Sequence, residues 1–159
     1  MINKFKNWLG IEGVKARLDL KEPLRQEDYC IEGNIELHSI RAQTIEDIHI
    51  RFIEKYKRGK KESLKIDEFI LGGKILELNF KLEDGESRQF PFRLEYEMLQ
   101  SSMDKLGKKN FIVGGLVSLL KREQNVSSTF RLELKINGTG SALPPKFDFP
   151  INFNKKRQA

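Results

Sequence analysis

The sequence predicts an all-β protein built as an antiparallel sandwich. Three observations carry this reading. Apolar and polar residues alternate with a period of two through several short segments, as at Leu76-Glu77-Leu78-Asn79-Phe80-Lys81-Leu82. Glycine and proline turn signals separate those segments at regular spacing. Two of the segments, Phe90-Pro91-Phe92 and Phe147-Asp148-Phe149-Pro150-Ile151, hold a proline. Proline cannot donate to a sheet ladder, so such strands belong at an edge, a strand start or a bulge.

Residues 2–9 read as a short amphipathic helix, with Ile2, Phe5, Trp8 and Leu9 on one face and Gly10 and Gly13 ending it. A helix this short is marginal alone, so its apolar face must dock on the body of the protein, a membrane or a partner. The strands are expected within 14–97 and 127–153. Val14, Ala16, Leu18 and Leu20 alternate in the first, which Pro23 closes. The second runs about Tyr29 to His38, with Ile31, Gly33, Ile35 and Leu37 facing inward. A glycine on an inward face predicts a bulge or the close approach of another backbone or ring. The third carries Ile45, Ile48, Ile50, Phe52 and Tyr56; Glu54 falls in its apolar register, which predicts a bulge or a strand running past the core.

The basic turn Lys57-Arg58-Gly59-Lys60-Lys61 leads to a strand near Leu64 to Ile70, with Leu64, Ile66 and Phe69 as core candidates. Gly72-Gly73 reads as a turn into a separate strand from Lys74 to Leu82. Asp84-Gly85 turns the chain into the Phe90-Pro91-Phe92 strand, whose Phe90, Phe92 and Leu94 point to the core. Residues 104–124 break the alternation. Phe111 to Leu120 has helical apolar spacing, Asn110 fits as its cap, and Lys121-Arg122 suit a helix C-terminus. A helical insertion near 104–124 is expected, docked or acting as a mobile binding segment. Phe130, Leu132, Leu134 and Ile136 then alternate again, Pro144-Pro145 leads into the last strand, and a basic tail occupies 154–159. About eight strands in a single domain over 1–159 is the expectation.

Composition agrees with a soluble globular protein. The 159 residues are 38% hydrophobic and 33% charged, enough for one core burying roughly two-thirds of the unfolded surface. The N-terminus lacks a signal sequence, no apolar run is long enough to span a bilayer, and the single cysteine, Cys30, suits a reducing compartment. The expected location is the cytoplasm. The net charge of +6 arises from 29 basic residues interspersed with 23 acidic ones. That mixture does not form the single-sign stripe of a nucleic-acid binder, and the aromatics do not form a base-stacking platform. Nucleic acid is therefore an unlikely partner on this reading, and the charge clusters read first as solvated hairpin tips and a frayed tail.

With the strands placed, a resemblance becomes visible. Ile31-Glu32-Gly33-Asn34-Ile35-Glu36-Leu37, the Ile48/Ile50/Phe52/Tyr56 strand, and Gly85-Glu86-Ser87 leading to Phe90-Pro91-Phe92 resemble one lobe of an arrestin-like sandwich. The opening Phe5-Lys6-Asn7-Trp8-Leu9-Gly10-Ile11-Glu12-Gly13-Val14-Lys15 is similar to the start of bacterial sporulation-control proteins of that superfamily. The resemblance covers roughly 1–97 and 127–153, implies an immunoglobulin-like/arrestin-like antiparallel β-sandwich, and implies a non-catalytic scaffold or adaptor that binds other proteins. It departs from arrestins proper in having room for one lobe, and the insertion at 104–124 has no counterpart. The buried charge network of true arrestins is not placed, so no activation switch is carried over.

No motif for nucleotide binding, an acyl-transfer nucleophile or zinc proteolysis is present. Cys30, His38 and His49 fall on outward faces of neighbouring strands in this reading, but their spacing matches no common zinc pattern. If Leu37 pairs with Ile48, Glu36 faces His49, a pair better explained as a surface ion pair than as acid–base machinery. No catalytic, metal or cofactor-binding residue, no cofactor and no small-molecule substrate is expected. The expected partners are other proteins, including a second copy of the chain. The alternative is a peripheral contact with an anionic membrane or acidic partner through Lys57, Arg58, Lys60, Lys61, Phe5 and Trp8, in which the N-terminal helix supplies the apolar face.

Overall fold

The computed structural model describes residues 13–98, 127–138 and 144–153. The expected N-terminal helix at 2–9, the helical insertion at 104–124 and the basic tail at 154–159 lie outside the described residues. Seven strands are present among those described: β1 Val14–Leu20, β2 Cys30–Ser39, β3 Gln43–Arg58, β4 Lys65–Leu82, β5 Ser87–Glu95, β6 Ser127–Gly138 and β7 Lys146–Ile151. They form a three-stranded sheet in the order β1-β2-β5 and a four-stranded sheet in the order β4-β3-β6-β7. Every pairing is antiparallel.

The alternation places one face of each sheet in a shared core. Ala16, Leu18, Ile31, Ile35, Leu37 and Leu94 from the three-stranded sheet meet Ile48, Ile50, Phe52, Leu132, Leu134 and Phe149 from the four-stranded one. Burial of this apolar surface supplies the main drive for folding. At one end of the core the Phe52 ring lies 4.6 Å from Tyr96 and 5.7 Å from Phe130, centre to centre, and Phe153 meets it edge-on at 6.0 Å. Both proline-bearing strands are sheet edges, as their sequences predict: Pro91 is opposite Asn34 in β5, and Pro150 is opposite Arg131 in β7. Gly33 faces the backbone of β1. A Cβ there would lie 2.3 Å from the Asp19 carbonyl oxygen, so close strand approach accounts for the glycine.

Three expectations change. Gly72-Gly73 is not a turn: β4 is a continuous strand of 18 residues that runs straight through it. Between the Phe52–Gly72 and Ile53–Ile70 pairs, β3 advances one residue while β4 advances two, which makes Leu71 a bulge. The bulge expected in β3 at Glu54 is not there: β3 keeps its register past Glu54, and the extra residue belongs to β4. Glu54 itself is buried, and its carboxylate accepts a hydrogen bond from Ser128 Oγ at 3.1 Å. The expected pair of strands therefore merges into one, and eight becomes seven.

The second correction concerns Leu64 and Ile66, expected in the core but 45% and 47% exposed. Residues 64–71 carry apolar side chains in both phases of the alternation, and the Asp67/Phe69/Leu71 phase is the more buried one. The third concerns β2 and β3, which are consecutive but belong to different sheets. Leu37 pairs with Ala16 and Arg88, and Ile48 pairs with Leu76 and Ile136. Glu36 consequently does not face His49.

Candidate interaction surface

The outer face of the three-stranded sheet is a compensated charge ladder. Arg17 meets Glu36 at 2.5 Å, Arg93 meets Glu32 at 2.5 Å, and Lys21 reaches the same Glu32 at 3.3 Å. Hydrogen bonds from Lys21 and then Arg93 hold the Glu32 carboxyl below the usual glutamate range. His38 Nδ1 lies 2.7 Å from Ser87 Oγ. Such a face is well solvated and internally satisfied.

Cys30 and His38 share β2, while His49 lies on β3 in the other sheet, where its Nε2 is 3.1 Å from Asp47. The sequence-based placement of these three on neighbouring strands is therefore corrected. No metal-binding cluster occurs among the described residues. Burial pushes the Cys30 thiol pKa up, against the weaker opposing field of Arg93. That direction disfavours the thiolate a nucleophile needs. No helix among the described residues is long and apolar enough to cross a membrane.

The outer face of the four-stranded sheet is different. Ile53 is 3% exposed yet lies outside the sandwich core. It pairs with Ile70 on β4 and Arg131 on β6. Arg131 reaches across β3 to Glu68 on β4, with Nη1–Oε1 at 2.9 Å and Nη2–Oε2 at 3.1 Å. This two-pronged bridge forms a strap over the middle strand, with Asp148 on β7 3.4 Å from the guanidinium. Beside it Arg51 bonds Glu133, which is nearly buried. Beyond the strap the apolar surface continues outward: Ile70 is 60% exposed and Ile75 56%. Monomeric proteins do expose single apolar residues, but β4 shows three isoleucines on one face, Ile66, Ile70 and Ile75.

The Arg131 hydrogen bonds depress the pKa of the Glu68 carboxyl. A group whose folded pKa is depressed contributes stability that is complete above its unfolded value, near 4.5, and is lost as pH falls through the folded value. In a carboxyl-detected NMR titration, Glu68 is expected to protonate below the ordinary range. Arg131→Met is expected to return it to that range. An unchanged midpoint in the variant would show that the strap does not form.

The sequence-predicted contact residues divide. Lys57 and Arg58 end β3, Lys60 is exposed in the following turn, and Lys61 opens a short 3-10 turn, Lys61–Ser63. The fold thus gathers the four basic residues at one hairpin. Phe5 and Trp8 lie outside the described residues. The sequence reading placed Leu64 and Ile66 in the core and did not single out Ile70 or Ile75; for Leu64, Ile66 and Ile70 the signal was the second apolar phase through 64–71.

No family model matches the chain, and no curated protein matches it in sequence. Among solved structures, the crystal structure of Spo0M, a sporulation control protein from Bacillus subtilis, superposes with a TM-score of 0.61 over 91% of this chain, at 14% identity. The fold is arrestin-like. This chain spans about half of that structure, 51% of its length. The shared fold is the two-sheet antiparallel sandwich. At this identity the likeness concerns the fold, and the surface of β4 is read from this chain's own residues.

Proposed function

We propose that the protein is a non-catalytic intracellular interaction module that binds another protein through the outer face of β4. The observation that carries this reading is the exposure of Ile70 and Ile75 beside the Arg131–Glu68 strap. An apolar stripe rimmed by fixed charges gains from being covered, while the rim sets orientation. The similarity in fold to a sporulation control protein supports a regulatory role over an enzymatic one.

Recognition by the face is favoured over strand addition along the whole β4 edge. The chain leaving β5 already bonds to β4 there, with the Glu97 amide 3.1 Å from the Leu71 carbonyl oxygen. The edge strands β5 and β7 carry proline, and β1, the remaining edge, carries Lys15, Arg17 and Asp19 on its outer face; proline and charge both blunt strand addition. The partner surface is accordingly one with apolar side chains that close over Ile70 and Ile75.

The test compares the full chain with Ile70→Ser/Ile75→Ser in affinity capture, and in light scattering across a concentration series. A defined protein, or a second copy, is expected to bind the parent and to weaken about tenfold for each isoleucine removed. Equal retention by parent and variant would place the contact elsewhere. A strictly monomeric parent that captures nothing above background would overturn the reading.

A further inference from the structure

The β3–β4 hairpin ends in a tip that is both cationic and apolar. Lys57 and Arg58 close β3, Lys60 lies in the turn and Lys65 opens β4. Arg58 and Lys65 are direct cross-strand partners. Like charges placed opposite each other are unfavourable in a sheet, and an external anion relieves them. Internal compensation is partial: the Arg58 guanidinium is 3.6 Å from Asp67 and Glu62 is exposed in the turn itself, while Lys57, Lys60 and Lys65 have no ion-pair partner among the described residues. The Arg58 Nε–H is buried and makes no hydrogen bond among those residues. Leu64 and Ile66 are exposed among these cations, where a tip that meets only water would carry polar side chains.

The tip is also held in shape. Gly59 takes the left-handed conformation, with φ of 90°, and a Cβ on it would lie 2.4 Å from the Ser63 carbonyl oxygen. The Ser63 amide donates to the Lys60 carbonyl at 2.9 Å, and its hydroxyl donates to the same oxygen at 3.0 Å. Leu64 and the basic side chains therefore project from a closed turn, which lowers the ordering cost of binding.

We propose that this tip docks the protein on an anionic lipid leaflet, with Leu64 and Ile66 entering the headgroup–acyl boundary and Lys57, Arg58, Lys60 and Lys65 meeting the lipid phosphates. A leaflet offers negative charge and hydrocarbon together, which matches both halves of the tip. A soluble anion or an acidic peptide would use the cations and leave Leu64 and Ile66 in water. The lysine stems can lie along the apolar boundary while their ammonium groups stay hydrated. Ile66 shares a face of β4 with Ile70 and Ile75, but this contact is confined to the tip end of that face, beyond Glu68, and does not require Ile70 or Ile75.

The experiment is co-sedimentation of the full chain with vesicles of phosphatidylcholine alone or mixed with phosphatidylglycerol, across a salt series. Binding is expected only to the mixed vesicles and is expected to weaken with salt. Removing a cation costs about fivefold in partitioning, so Lys57→Ala/Lys60→Ala is expected to lose about 25-fold. Leu64→Ser/Ile66→Ser, which changes no charge, is expected to weaken binding as well. Ile70→Ser/Ile75→Ser is expected to leave it unchanged. All these positions are exposed or partly exposed, and urea unfolding of each variant checks that the fold is retained. Three results would each overturn the proposal: equal binding to phosphatidylcholine alone, full binding by the lysine variant, or full binding by the Leu64/Ile66 variant. The last of these would indicate an anion held by charge alone.

Discussion

Replacing Phe52 by alanine is expected to destabilise the protein by about 3–5 kcal/mol, the usual cost of truncating a fully buried aromatic. Phe52 has no exposed surface and joins the two sheets at one end of the core. Its ring meets Tyr96 from the chain leaving β5, Phe130 from β6 and Phe153 beyond β7. None of the three can collapse fully into the void. Phe130 and Phe153 are already braced against each other at 5.2 Å, and the Tyr96 hydroxyl is tied to the Gln26 carbonyl at 3.2 Å. Urea unfolding checks the size of the effect, and the melting temperature is expected to fall by roughly 6–20 °C for a chain of this length. Phe80→Ala provides the comparison. Phe80 is only partly buried, packing on Phe90 at 5.1 Å under the Arg88 guanidinium, so its loss is expected to cost less. A Phe52→Ala midpoint equal to that of Phe80→Ala would show that the aromatic cluster does not join the sheets.

The fold was legible wherever one alternation phase was purely apolar. β1, β2 and the later half of β4 announce their buried faces directly, and the prolines of β5 and β7 announce their edges. Legibility failed where the physical determinant is not local. Which strands pair depends on the approach of segments far apart in sequence, so the tempting hairpin between consecutive β2 and β3 was wrong and took the Glu36–His49 pair with it. Residues 64–71 offered two apolar phases, and only the sandwich decides which turns inward. The basic turn was visible as a charge cluster, but its exposed Leu64 and Ile66 were hidden by the assumption that alternating isoleucines are core. The Ile53 strap was invisible for a related reason: the Arg131–Glu68 bridge spans 63 residues of sequence.

The adjacent glycines of β4 give the sharpest separation of local and tertiary causes. Gly72-Gly73 looks like a turn because glycine is the usual solution to turn geometry, yet neither residue has the positive φ that such a turn demands. Gly72 is instead required by contact. A Cβ there would lie 2.6 Å from the Glu95 carbonyl oxygen, 2.9 Å from Tyr96 Cβ and 3.1 Å from Tyr96 Cα. The chain leaving β5 presses on this point, then bonds to the Leu71 carbonyl through the Glu97 amide. Gly72→Ala therefore forces the 95–97 segment off β4 and disturbs the Tyr96 ring against Phe52. Overpacking of this kind costs about 1–3 kcal/mol. At Gly73 the nearest atom to an added Cβ is the Ile50 carbonyl oxygen at 3.6 Å, an ordinary contact. Gly73→Ala is expected to stabilise by about 0.4–1 kcal/mol, because it narrows the unfolded ensemble without straining the strand. The urea midpoints of the two variants are thus expected to move in opposite directions. Equal shifts would mean that backbone propensity governs both positions and that the β5 exit does not seat against β4.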